Sequence, residues 1–203
     1  MKNKLIPYGK QTVKKDDVKS IIKTLNSDYL TTGPTTIKFE NNFKNYVGSK
    51  FATSCSSGTA ALHLCLLTIN VKKNDIIILP VVNFIASVNM AHLLRAKIYF
   101  ADVDKFSGQM TPHSLESCIK KYKLKKIKAV ISMYNGGNPN NFKLFFKLKK
   151  KYKFTLIEDA CHALGGSYDK FQKSRVGCCK YSDFATFSLH PLKSITTGEG
   201  GMI

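Results

Sequence analysis

Between Ile76 and Ile157, short apolar runs alternate with longer amphipathic ones, and this alternation limits the possible folds more than any other feature of the chain. Ile76 to Leu79, Lys97 to Ala101, Ile127 to Met133 and Thr155 to Ile157 read as strands. Asn83 to Leu94, Pro112 to Lys121 and Asn141 to Lys151 read as the helices between them. Strands that are apolar throughout are buried on both faces, so the pattern predicts an α/β fold: a mostly parallel sheet with helices on both faces. Upstream, Lys14 to Leu25 sets Val18, Ile21, Ile22 and Leu25 at helical spacing, with Asp16 and Asp17 favouring the helix amino end. Tyr29 to Thr36 reads as a loop, Ile37 to Val47 as a helix ended by Gly48, Phe51 to Ser54 as a short strand, and Ala60 to Ile69 as an apolar helix. Asn135 to Asn141, rich in Asn and Gly, is a loop, and Glu199 to Ile203 reads as the opening of another strand.

Composition narrows the function. No apolar run is long enough to span a membrane and Met1 to Ile6 lacks a signal core, which predicts a cytoplasmic protein without a membrane partner. The six cysteines form no Cys-x-x-Cys pair and have no accompanying His at zinc spacing, so no metal is expected. The formal charge of +19 raises the question of nucleic acid. Arginine occurs only at Arg95 and Arg175, while the lysines look scattered over helix faces, densest at Lys120 to Lys128 and Lys147 to Lys153. Base readers favour Arg and an aromatic platform, so no nucleic-acid partner is expected.

Three stretches carry chemistry. In the last, an apolar run delivers Ser188 and His190, Pro191 ends the strand, and Lys193 follows before Thr196-Thr197-Gly198-Glu199-Gly200-Gly201. Lys193 stands among small and turn residues rather than in a charge run, where a partly buried amine serves as nucleophile or proton carrier. Asp159 closes an apolar strand and would be costly there without a cationic partner, whereas strand alternation sends Glu158 to the other face. Ser57-Gly58-Thr59 lies between a strand and a helix, where free N–H groups and the helix dipole suit a phosphate, although the same residues also read as an ordinary cap.

Ser-x-His-Pro-x-Lys-x-Ile-Thr-Thr-Gly-Glu-Gly-Gly resembles the pyridoxal-phosphate lysine segment of the DegT/DnrJ/EryC1/StrS nucleotide-sugar aminotransferases. The likeness continues through Glu158 to Gly165, Ser56 to Leu62, and Leu30 to Pro34 with Phe39-Glu40. It implies an aspartate-aminotransferase-like fold, here a cofactor-binding large domain over residues 1–203 with an N-terminal arm to about residue 36. It also implies pyridoxal 5'-phosphate on Lys193, with Gly58, Thr59 and Ser188 at the phosphate, Phe84 stacked on the ring, Asp159 at the ring nitrogen, and His162 at the phenolic oxygen or its polar neighbours. L-Glutamate is the implied donor, and a UDP-4-keto-6-deoxy-N-acetylhexosamine the implied acceptor, because Ile6 to Gln11 and Ile195 to Gly201 are most similar to members that aminate such a sugar on the route to pseudaminic acid. Family active sites lie at a homodimer interface, so a homodimer is implied. Family members carry a smaller C-terminal domain past this point, which suggests a truncated chain; an inactive remnant is the alternative, and a basic nucleic-acid-binding protein ranks after it. Ser132 to Pro139 departs from the usual family loop.

Overall fold

The computed structural model describes residues 6–7 and 9–203. Met1 to Leu5 and Tyr8, part of the expected N-terminal arm and of the opening motif, lie outside the described residues. Among the described residues seven strands, β1 (Ser54–Cys55), β2 (Ile76–Pro80), β3 (Lys97–Ala101), β4 (Ile127–Met133), β5 (Thr155–Asp159), β6 (Phe184–Ser188) and β7 (Gly201–Met202), form one sheet in the order β1-β7-β6-β5-β4-β2-β3. The pairs from β6 to β3 are parallel, and β7 runs antiparallel to both β6 and β1. Ile203 extends that edge, exchanging two backbone hydrogen bonds with Thr53.

The helices are α1 (Lys15–Leu25), α2 (Pro34–Val47), α3 (Gly58–Thr68), α4 (Ala86–Leu93), α5 (Pro112–Lys121) and α6 (Phe142–Tyr152). Period-two alternation along the central strands separates two cores. Ile78, Val130 and Leu156 pack with residues of α5 and α6 such as Leu115 and Phe145. Ile77, Leu79, Ala129, Ile131 and Ile157 face the opposite way, onto Leu62 and Leu66 of α3 and Ala91 of α4. Complete burial of such aliphatic side chains stabilises by about 1.5–3 kcal/mol each. A third cluster joins Phe43 and Val47 of α2 to Ala185, Phe187 and Met202.

Several expected boundaries move. α2 begins at Pro34, inside the stretch expected to be a loop, because proline's fixed φ and missing N–H suit a first helical position. α3 begins two residues before the expected start, since Ser57 accepts a hydrogen bond from the Ala60 N–H at 3.1 Å and caps it. α4 starts at Ala86 rather than Asn83. The expected strand at Phe51 to Ser54 is reduced to Ser54–Cys55, the residues that oppose β7. β5 continues to Asp159, because Glu158 and Asp159 still pair with Ser132 and Met133 on one side and with Ala185 and Thr186 on the other. α1 is helical as its spacing predicts, yet Val18, Ile21, Ile22 and Leu25 are all exposed.

Candidate active site

In an open parallel sheet the loops at the carboxyl ends of the strands converge on the ligand. Here those ends, with the amino end of α3, surround a cavity of about 650 Å3. All seven residues singled out in the sequence line it: Gly58, Thr59, Phe84, Asp159, His162, Ser188 and Lys193.

The amino end of α3 forms one wall. Gly58 is buried there because β6 and the β5–β6 connection come close: a Cβ would stand 2.9 Å from Ser188 Cβ and 3.0 Å from Cys161 Sγ. Gly201 of β7 comes closer still, and a Cβ on it would collide with the Ser57 carbonyl and crowd the Gly58 nitrogen. This explains the last glycine of the Gly-Glu-Gly-Gly run: β7 threads against the backbone of the cap. Gly201→Ala must move either β7 or the α3 amino end, at a cost of about 2 kcal/mol or more by comparison with other overpacked sites. Urea unfolding of the variant should show that loss.

Asp159 ends β5 and is 2 % exposed, with its carboxylate accepting a 3.2 Å hydrogen bond from the Cys161 N–H. Among the described residues it makes no ion pair. Burial raises its carboxyl above the ordinary range, and the nearby His162 and Lys193 only partly counter this. An anion held in this way suits a cationic ring nitrogen, and a carboxylate is a poor neighbour for anything neutral and apolar. The buried acid and the tight α3 cradle on the same cavity therefore fit pyridoxal phosphate.

Phe84 follows the turn after β2 and is 63 % exposed, so it is a cavity wall and not a core residue. His162 is exposed at the cavity, and partial burial together with the Lys193 ammonium lowers its imidazole below the usual value. Ser188, the last residue of β6, is half-buried and accepts from the His190 N–H at 3.4 Å. Lys193 is half-buried in a turn closed by its own N–H to the His190 carbonyl at 2.9 Å.

On the other face of β5, Glu158 is 1 % exposed, as alternation predicts. Its carboxylate accepts from the Tyr134 hydroxyl at 2.6 Å and the Tyr168 hydroxyl at 2.5 Å. Burial raises its carboxyl while the two phenols hold it down, and both phenols are pushed well above their ordinary values. This clamp sits directly behind the cavity: Tyr134 precedes the cavity-lining Asn135, and its N–H bonds the Asp159 carbonyl at 3.1 Å.

Several wall residues were missed in the sequence. Ser57 was visible as a cap, and His190 was noted there only as a neighbour of the lysine. Asn83, Asn135, Cys161 and Glu199 also line the cavity, and no spacing rule marks them. Among the described residues no cluster of His, Cys, Asp and Glu could hold a metal ion, and no helix is long and apolar enough to cross a membrane.

Residues 11–203 match the DegT/DnrJ/EryC1/StrS aminotransferase family. The chain belongs to that family. Over 203 residues it is 36% identical to the uncharacterized protein MJ1066 of Methanocaldococcus jannaschii, covering 100% of this chain and 50% of that one. It is 33% identical over 202 residues to a UDP-4-amino-4-deoxy-L-arabinose–oxoglutarate aminotransferase of Shewanella sediminis, again covering 100% and 50%. Among solved structures, Helicobacter pylori PseC, an aminotransferase of pseudoaminic acid biosynthesis, superposes with a TM-score of 0.87 at 30% identity, over 98% of this chain and 52% of that one. The pyridoxal-phosphate form of the Streptococcus pneumoniae sugar aminotransferase Spr1654 gives 0.86 at 26% identity, over 97% and 52%. The chain thus spans about half the length of these relatives. The mixed α/β fold with its mostly parallel sheet superposes on about half of each of these aminotransferases, in agreement with the fold class expected from the sequence.

Proposed function

We propose that this chain is the cofactor-bearing part of a pyridoxal-phosphate-dependent sugar aminotransferase. The observation that carries the proposal is the meeting of Lys193, the buried Asp159 and the amino end of α3 on one cavity. The N–H groups of Gly58 and Thr59 and the Ser188 hydroxyl would hold the phosphate, with the α3 dipole assisting. Asp159 would keep the ring nitrogen protonated, and the exposed Phe84 ring would cover one face of the ring. When bound, the cofactor supplies an electron sink for the carbon that gives or receives the amino group. Lys193 would anchor it through its amine, and as a free amine would hold and move the proton at the carbon that gives or receives the amino group. His162 would hydrogen-bond at the phenolic oxygen or its polar neighbours.

L-Glutamate is the donor we favour, since the Shewanella relative is named for oxoglutarate, which is glutamate without its amino group. We favour the 4-keto carbon of a UDP-linked 6-deoxy-N-acetylhexosamine as acceptor, supported by the similarity to PseC. The Shewanella relative, at slightly higher identity, favours a second reading in which the acceptor is a UDP-linked 4-keto pentose. Residues 1–203 would then be the large domain, working in the cytoplasm as part of a homodimer. The test is amino transfer from glutamate to each of the two UDP-4-keto sugars, read as oxoglutarate release. Preference for the hexose supports the first acceptor, preference for the pentose replaces it, and no release with either sugar rejects sugar amination by this chain.

A further inference from the structure

In sequence the cations look scattered, but the fold gathers many of them. The register places Ile76 of β2 opposite both Lys97 of β3 and Ile127 of β4, and Ala129 of β4 opposite Thr155 of β5. The turns that enter these four strands therefore lie side by side along one edge of the sheet, across roughly 15 Å at the usual spacing between strands. Those turns carry Lys73 before β2, Arg95 before β3, Lys123, Lys125 and Lys126 before β4, and Lys153 before β5, all exposed and none in an ion pair among the described residues. Because the ligand cavity lies at the carboxyl ends of the same strands, this edge faces away from it.

Backbone conformation gives a second, independent sign. Arg95, Lys123, Lys126 and Lys153 all have left-handed φ, between 51° and 56°. Glycine or asparagine takes that conformation most easily, so cations stand here at positions where they fit poorly. Attraction to a helix carboxyl end can account for Lys153 and contributes at Arg95 and Lys123. It does not account for Lys126, which lies beyond the last turn of α5.

We propose that this edge is a docking surface for an anionic lipid membrane, with the cavity turned away from the bilayer and open to solvent. The surface is a row of turn tips rather than a groove, which suits a plane of headgroups better than a strand of nucleic acid. It uses lysines, point charges for diffuse anions, with a single arginine. Tyr122, 49 % exposed beside the Lys121 ammonium, adds an amphipathic ring of the kind that settles at a membrane interface. This inference is independent of the reaction proposed above.

The test is co-flotation of the full chain with phosphatidylcholine vesicles, with and without phosphatidylserine, at about 0.1 M salt, where the screening length is about 10 Å. Two triple variants carry the same change in net charge. Lys123→Glu/Lys125→Glu/Lys126→Glu alters the docking edge. Lys105→Glu/Lys143→Glu/Lys170→Glu alters exposed lysines in segments that follow the carboxyl ends of β3, β4 and β5 and do not line the cavity. Binding should require phosphatidylserine and weaken by roughly a hundredfold in the first variant, at about fivefold for each of its three lysines, with little change in the second. The proposal is overturned if the parent chain ignores phosphatidylserine vesicles, if both variants lose binding equally, or if duplex DNA binds more tightly than the vesicles at the same salt.

Discussion

Replacing Asp159 with asparagine should stabilise the chain without cofactor at neutral pH and at the same time weaken its hold on pyridoxal phosphate. Asparagine keeps the shape and can still accept from the Cys161 N–H, but it removes a buried charge that lacks a cationic partner among the described residues. The folded-state carboxyl of Asp159 is raised above its ordinary value of 3.8, chiefly by burial. Its contribution to stability is therefore fully present below about pH 3.8 and lost as pH rises through the folded value. Asparagine does not titrate, so its advantage over the parent should grow from pH 4 to pH 8 in urea unfolding. Once a cationic ring nitrogen is present the sign reverses, because a buried pair broken from one side costs about 3–5 kcal/mol, or roughly a hundredfold or more in affinity. A variant less stable than the parent at pH 8 would mean that the carboxylate is already compensated within the chain.

The second large effect belongs to the clamp behind the site. Glu158→Leu leaves the Tyr134 and Tyr168 hydroxyls buried without their acceptor, at about 1–3 kcal/mol each. That is a large share of the roughly 5–15 kcal/mol that holds a domain together. Changing the two tyrosines to phenylalanine in the same chain removes the orphaned donors, so the triple variant should be more stable than Glu158→Leu alone. Such a reversal is strongly non-additive, as expected of side chains in one network. Equal stability of the single and triple variants in urea would show that the phenols find other partners.

Part of the site was legible because its members are local, whereas Phe84, His162 and Ser188 were named only through the family resemblance. Lys193 beyond Pro191, Asp159 at the end of an apolar strand, and Ser57-Gly58-Thr59 at a helix start each follow from their immediate neighbours in the chain. The sheet was legible for the same reason, since four apolar runs between amphipathic ones leave few alternatives. What escaped depends on contacts between distant segments. Tyr134 and Tyr168 reach Glu158 from separate loops, and Asn83 and Asn135 reach the cavity only because β2 and β4 are neighbours. The cationic edge could not be read without the strand order and register, which bring turns far apart in sequence into one row. The start of α2 was readable in principle, because proline at a first helical position is a local signal.

The most direct test of the central claim is the absorbance of the purified chain with pyridoxal phosphate, before and after borohydride, with Lys193→Ala beside it. The proposed site predicts a visible band that borohydride abolishes, a cofactor fixed by mass to the peptide carrying Lys193, and neither signal in Lys193→Ala. A parent chain that shows no band, or one whose band persists in Lys193→Ala, would contradict the assignment of this cavity as the cofactor site.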